Sequence, residues 1–134
     1  MINTSFSLGK VEFKNRVFVA SGTFGYGDEV RDLVDVSQLG GIITKSLSLK
    51  LRRGNRPKRI VETASGMLNS IGLANIGVQE FITSKLPYLK QLKTKLIINI
   101  AASSLDEYCE VIKVLESNDG IDAYEINVSC PNVK

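Results

Sequence analysis

A cysteine, two asparagines and a lysine are the residues of this sequence best suited to chemistry, and each stands at the end of an apolar run or within it. Cys130 lies between Ser129 and Pro131 in "EINVSCPNVK". A thiol held at such a turn can act as a nucleophile or as a proton acceptor. Asn127 precedes it in the same stretch, and Asn99 interrupts "KLIINIA". An amide inside an apolar run costs on the order of 1–3 kcal/mol unless it is hydrogen-bonded. Neighbouring backbone can satisfy one such amide. Two at equivalent places in successive strand–helix units point instead to a ligand edge, because an amide offers donors and an acceptor together. Lys45 follows the apolar "GIIT". Either it opens a surface loop, or it reaches into a site where its charge favours an anionic ligand or a developing negative charge.

The chain has no histidine. Proton transfer therefore falls to Cys, Lys, Tyr, a carboxylate or an activated hydroxyl, and imidazole-built zinc sites are excluded. The two cysteines, Cys109 and Cys130, form neither a disulfide framework nor a thiolate metal site, so no metal is expected. Cys109 lies within a helical pattern, where a free cysteine is a small buried hydrophobe.

Regular elements must bring these groups to one level. "SFSLGKVEFKN" reads as a hairpin turning at Gly9-Lys10, with Phe6, Leu8, Val11 and Phe13 as its apolar content. "RVFVASG" gives a short β run over Val17–Ala20. "DEVRDLVDVSQLG" is expected to be helical, since Val30, Leu33 and Val34 fall at i, i+3 and i+4. "GIITKS" is the next buried β run. The long Gly/Asn/Arg segment after it shows little periodicity and is expected to be a functional loop. Within it, "SGMLNSIGL" surrounds Asn69 with large apolar residues and reads as a loop folded over a ligand. "VQEFITSKLPYLKQL" returns to helical spacing, with Pro87 beginning, kinking or ending a helix. "KLIINIA" is a third β run and "DAYEINVS" a fourth. Between them "SSLDEYCEVIKVLES" is an amphipathic helix with a Ser104–Glu107 capping box and Leu105, Tyr108, Val111, Ile112 and Leu115 facing inward.

Strands alternating with helices predict parallel βα units, and the apolar β runs suit strands buried on both faces. Each run ends in small or polar residues: Ala20-Ser21-Gly22, Thr44-Lys45-Ser46, Asn99, and Asn127 to Cys130. In parallel α/β folds that face carries the ligand chemistry. The composition, 43% hydrophobic and 23% charged with a net charge of +3, is that of an ordinary soluble protein. No apolar run approaches the roughly 20 residues of a membrane span, and no signal-peptide pattern opens the chain, so a cytoplasmic location is expected. Much of the basic excess sits in "KLRRGNRPKR", residues 50–59. No aromatic residue is interleaved for base stacking, so it reads as a solvated loop and no nucleic-acid partner is expected.

Taken together, "ASGTFGYG", "ITKS", the Arg-Gly-Asn-Pro-Arg frame, "ETASGMLNSIGLANIG" and "VSCPNVK" resemble the dihydroorotate dehydrogenases, in order and in spacing. The cysteine in the last motif is similar to class 1 enzymes, and "GTFGYG" and "SGMLNSIGL" look most like the NAD-linked subclass B catalytic subunit. The resemblance implies an α/β fold, the N-terminal half of a (β/α)8 TIM barrel preceded by a short β-hairpin. It also implies a single domain over 1–134 that is an N-terminal piece, truncated after strand four. The implied reaction is oxidation of dihydroorotate to orotate in pyrimidine biosynthesis, with Cys130 as general base and FMN as hydride acceptor. FMN would touch Ala20, Ser21, Lys45, Ser46, Asn99 and Asn127. Substrate would touch Lys45, Asn69, Ser70, Ile71, Gly72, Leu73, Asn127 and Asn132. Subclass B implies a homodimer with an electron-transfer subunit that carries FAD and an iron–sulfur cluster. Ala102, where relatives commonly have glycine, and the basic Arg53, Arg56 and Lys58 depart from the family pattern. The rival readings are another FMN-barrel pyrimidine oxidoreductase, resembling dihydropyrimidine dehydrogenase, and a non-enzymatic anion-binding module.

Overall fold

The computed structural model describes residues 2–129. Phe6–Leu8 (β1) and Val11–Phe13 (β2) pair antiparallel, with Gly9 at φ 59° in the turn. Aromatic packing seats this hairpin: Phe6 stacks on Phe13 at 5.1 Å, and Phe18 meets Phe13 edge-on at 5.2 Å. The strand expected over 17–20 contracts to a single parallel bridge, Phe18 to Gly41. Phe18 is committed to the aromatic trio and Val17 stays exposed, so the run is held by one neighbour only.

One helical turn follows, Ser21–Phe24 (α1). The helix expected from Val30, Leu33 and Val34 does not form. Asp28–Val30 and Val36–Gln38 are separate 3₁₀ turns, and Leu33 is 82% exposed. β-Branched residues at 30, 34 and 36 weaken helix propensity. The Asp35 carboxylate also accepts from the Ser37 N–H at 3.0 Å, a local turn that competes with helical pairing.

Gly41–Ile43 (β3) begins the central sheet. The segment expected to lack regular structure instead contains an antiparallel ribbon, Ile60–Thr63 (β4) with Gly66–Asn69 (β5), all of it exposed. Val78–Glu80 (α2), a π turn over Phe81–Lys85 and Leu86–Leu89 (α3) follow one another as a helical stretch. Pro87 has no N–H and opens the last segment; the widened turn before it absorbs the missing bond. Lys95–Ile100 (β6), Leu105–Glu116 (α4) and Ala123–Ile126 (β7) complete the described elements. The Ser104 hydroxyl accepts from the Glu107 N–H at 3.2 Å, and the Glu107 carboxylate reaches back to the Ser103 N–H at 2.7 Å, one residue before the usual box.

The sheet is parallel throughout, in the order β3-β6-β7, with Ile97 opposite both Ile43 and Ala123. Leu96, Ile98 and Ile100 of β6 pack with Val78, Phe81, Leu86, Leu89, Val111 and Leu115 of the helices. Side chains alternate along a strand, so Ile97 and Asn99 take the other face. Two expectations for α4 are corrected: Leu105, expected to face inward, is 78% exposed, and Cys109, expected to be buried, is exposed, while Val111 and Leu115 are fully buried. Leu115→Ala is therefore expected to cost about 2–5 kcal/mol. Leu105→Ala should stay within about 0.5 kcal/mol. Urea denaturation of the two variants checks the contrast.

Candidate active site

Lys45 and Ser46 leave the end of β3 and enter a cleft of about 630 Å³. Gly22 and Thr23 of α1 line one side of it. The ribbon and the loop after it line the other, through Ile60, Met67, Asn69, Ile71, Leu73 and Ala74. Lys45 is half-buried; its backbone N–H donates to Gly25 C=O at 2.8 Å, and its ammonium has no hydrogen-bond or ion-pair partner among the described residues. Ser46 is buried, and its hydroxyl accepts from the Asn127 amide at 3.4 Å, which ties the end of β7 to the end of β3.

Backbone pairing continues past the strands to set this level. Leu47 N–H donates to Asn99 C=O at 2.8 Å and Ala101 N–H to Leu47 C=O at 2.9 Å. Asn127 N–H donates to Ile100 C=O at 2.9 Å, and the Tyr108 hydroxyl of α4 donates to Asn127 C=O. Asn99 is 4% exposed, and its amide donates to the Glu125 carboxylate. Its Oδ1 is buried without a hydrogen-bond partner among the described residues.

Other expected site residues fall beside the cleft. The Ala20 carbonyl accepts the Thr23 and Phe24 N–H groups, so it caps α1, and Ser21 opens that turn; their neighbours Gly22 and Thr23 make the wall. Of residues 69–73, Asn69, Ile71 and Leu73 line the cleft. Ser70 faces the basic segment: its N–H donates to Arg59 C=O at 2.8 Å and its carbonyl accepts from the Asn55 amide at 2.9 Å. Gly72 lies buried under Asn55, where a Cβ would meet Asn55 N at 2.8 Å. Asn99 and Asn127 sit on the sheet face and do not line the cleft wall. Cys130 and Asn132 lie outside the described residues.

Three contributors were missed in the sequence. Tyr108 was read as packing and also anchors Asn127. Glu125 shares a strand face with Asn127, a charged residue two positions away in an apolar run, and that spacing was its signal. Asn75, in "GLANIG", is the third. It is 6% exposed and fully engaged. Its Oδ1 accepts from Ser48 N–H at 3.2 Å and Gly77 N–H at 2.9 Å, and its Nδ2 donates to Leu73 C=O at 2.8 Å and Ser48 Oγ at 2.9 Å. This clamp joins the segment after Lys45 to the cleft loop, and it holds Leu73 at φ 53°, a left-handed conformation a leucine rarely adopts. Nearby, burial pushes the Tyr26 phenol up to about 12, so it stays neutral beneath the same loop, accepting from Ile76 N–H at 3.5 Å. Among the described residues no cluster of three or more Cys, Asp or Glu could hold a metal ion, and no helix is long and apolar enough to cross a membrane.

A family model described as dihydroorotate dehydrogenase matches residues 3–134. The chain is 54% identical over 125 residues to a protein of Thermodesulfovibrio yellowstonii named dihydroorotate dehydrogenase B (NAD(+)), catalytic subunit, with 93% of this chain and 41% of that protein covered. It is 53% identical over 133 residues to a provisionally named dihydroorotate dehydrogenase A (fumarate) of Aquifex aeolicus, covering 99% of this chain and 44% of that one. The chain thus spans about two fifths of the length of these curated relatives. Among solved structures, the dihydroorotate dehydrogenase of Eimeria tenella in complex with ferulenol superposes with a TM-score of 0.72 at 19% identity, over 97% of this chain and 38% of that one, which shows the fold.

Replacing Asn75 by alanine leaves the Leu73 carbonyl and the Gly77 N–H without partners. A loss of about 1–3 kcal/mol is expected. Chemical denaturation gives its size, and faster hydrogen exchange at Gly77 locates it in the loop.

Proposed function

Because this chain belongs to the dihydroorotate dehydrogenase family, we propose that it supplies one wall and part of the floor of a flavin site that oxidises dihydroorotate to orotate in pyrimidine biosynthesis. The observation that carries this reading is the convergence of Lys45, Ser46, Asn69, Ile71 and Leu73 on one cleft of about 630 Å³, a size typical of small-molecule sites. Sequential strand order supports the barrel half: the Phe18 segment adjoins β3, then β6, then β7, each parallel to the last. A doubly wound sheet would reverse its order at a switch point. In this reading residues 1–134 carry the first four strands of a (β/α)8 barrel and the helical connections between them.

The residues present fit FMN. Asn99 Oδ1 is a buried acceptor and the Lys45 ammonium stands at the same strand-end level, both without a partner among the described residues. Ala20, Ser21, Lys45, Ser46, Asn99 and Asn127 would hold the cofactor, which when bound supplies the acceptor for a hydride from C6 of the substrate. Lys45 faces the anionic ligand. Asn69, Asn127 and Asn132 would bind the amide edges of its ring, and Ile71 and Leu73 of the same cleft wall would pack against it and orient it; Ser70 and Gly72 would act only through the backbone that shapes this loop. Cys130 takes the proton from C5. The match to a protein named as a B-type catalytic subunit supports the subclass B reading; a homodimer, an electron-transfer subunit carrying FAD and an iron–sulfur cluster, and a cytoplasmic location are part of the same proposal.

The test is anaerobic mixing of the flavin-loaded complete protein with dihydroorotate, read by bleaching of the flavin band; a loaded protein that does not bleach refutes the function. Lys45→Ala should cut turnover far more than it cuts flavin content or stability. Full activity in that variant would show the lysine to be a surface residue.

Cys130→Ser should slow flavin reduction by about 10²–10⁴-fold, the range of a lost general base, with orotate affinity little changed. A free thiol titrates near a pH of about 8.5, so the wild-type rate should rise toward alkaline pH. Equal stopped-flow rates for both proteins at every pH would remove Cys130 from the mechanism.

A further inference from the structure

The Asn99 amide has one orientation open to it, and that orientation decides what it can bind. Its Nδ2 donates to Oε1 of Glu125, its direct partner in the β6–β7 register. An ionised carboxylate only accepts, so the NH₂ must face Glu125 and Oδ1 must point away. Oδ1 is buried without a partner among the described residues, in a residue 4% exposed. Thr44 Oγ1 accepts the backbone N–H of Asn99 at 3.4 Å, and its own O–H does not reach Oδ1. The main chain around the amide is occupied too, with Asn99 C=O accepting from Leu47 N–H at 2.8 Å. One atom is therefore left over, and its polarity is fixed by a carboxylate on the neighbouring strand.

We propose that Glu125 is a positioning residue that sets the polarity of Asn99 and makes Oδ1 a dedicated acceptor for a ligand N–H. The inference rests on the flavin reading above and deepens it. The group that meets Asn99 must present an imide- or amide-type N–H, as the pyrimidine ring of a flavin does, and not a carbonyl or phosphate oxygen. Either of those would meet an acceptor with an acceptor. Glu125 touches no ligand in this arrangement; it acts through the amide.

Exchanging the two polarities tests this. Asn99→Asp sets two carboxylates against each other, and FMN affinity is expected to fall by at least about 30-fold. Adding Glu125→Gln to that variant restores a donor–acceptor pair in the opposite sense. The glutamine donates, one aspartate oxygen accepts, and the other again offers the ligand an acceptor. The double variant should bind FMN within about threefold of wild type, while Glu125→Gln alone, which frees the amide to turn over, should lose roughly three- to tenfold. The dissociation constant is read from quenching of FMN fluorescence by the complete apoprotein, with a thermal melt of each variant to report folding. A purely structural role for Glu125 predicts losses that add, so a folded double variant that binds no better than Asn99→Asp overturns the proposal. If Asn99→Asp alone fails to fold, recovery of both folding and FMN binding in the double variant still supports it, and recovery of folding without binding overturns it. A folded wild-type apoprotein that takes up no FMN overturns the flavin reading itself, and this inference with it.

Discussion

Ile97 stands opposite Ile43 of β3 on one side and Ala123 of β7 on the other, so the register of β6 is fixed twice. Side chains alternate along a strand with a period of two. A slip of one residue would turn Asn99 into the helix layer and push Ile98 and Ile100 out of it. Those two isoleucines are fully buried against Phe81, Val111 and Leu115, and each is worth roughly 1.5–3 kcal/mol of burial. The apolar face thus decides where the polar face points. The amide keeps to the polar face of the sheet because the apolar residues on the other face forbid every other register.

The strand ends then divide their polar groups into two kinds. Ser46, Asn127, Tyr108 and the backbone beyond β3, β6 and β7 are paired with one another and hold the level of the site. The Lys45 ammonium and Asn99 Oδ1 have no partner among the described residues. Leaving a buried acceptor unpaired works against stability, and a protein retains such a group where a ligand completes it. The paired groups are scaffold; in the proposed reading the unpaired ones face the bound molecule, which would supply the missing donor or charge.

The parts of this arrangement legible in the sequence were those with strong periodicity. The apolar runs at 41–43, 95–100 and 123–126 became strands, and the spacing of Val111 and Leu115 became the buried stripe of α4. The polar residues breaking those runs fall at the C-terminal end of the sheet. The failures have a common cause, which is that short apolar patterns do not say what will cover them. Val30, Leu33 and Val34 carry a helical spacing, yet an Asx turn at Asp35 and β-branched neighbours broke it into 3₁₀ turns. Leu105 obeys the spacing of α4 but lies past the sheet. The β4–β5 ribbon was invisible because its strands face solvent and so need no alternation. Asn75 was passed over because an amide in a loop looks ordinary until its four partner groups are known.

That ribbon also explains where the arginines of the basic segment go. Two strands with no buried residue are marginal on their own in water. What holds them is the root. Arg59 donates from Nε to Asn55 C=O at 2.6 Å and from Nη2 to Arg53 C=O at 2.7 Å, which folds the basic strap into a closed loop. The strap is then laced to the cleft loop through Asn55 N–H to Ile71 C=O at 3.1 Å and Arg52 N–H to Asn75 C=O at 3.0 Å. Gly54 permits the approach, since a Cβ there would meet the Ile71 carbonyl at 2.3 Å. Ile60 and Met67, the apolar wall of the cleft, therefore rest on a clasp of hydrogen bonds at the surface, whereas Lys45 and Ser46 are held by the sheet. Segments with few buried contacts and exposed hydrogen bonds open at lower free energy than core strands. The cleft accordingly joins a floor set by the sheet to a wall that opens at lower free energy, and the wall can open without disturbing the register on which the floor depends.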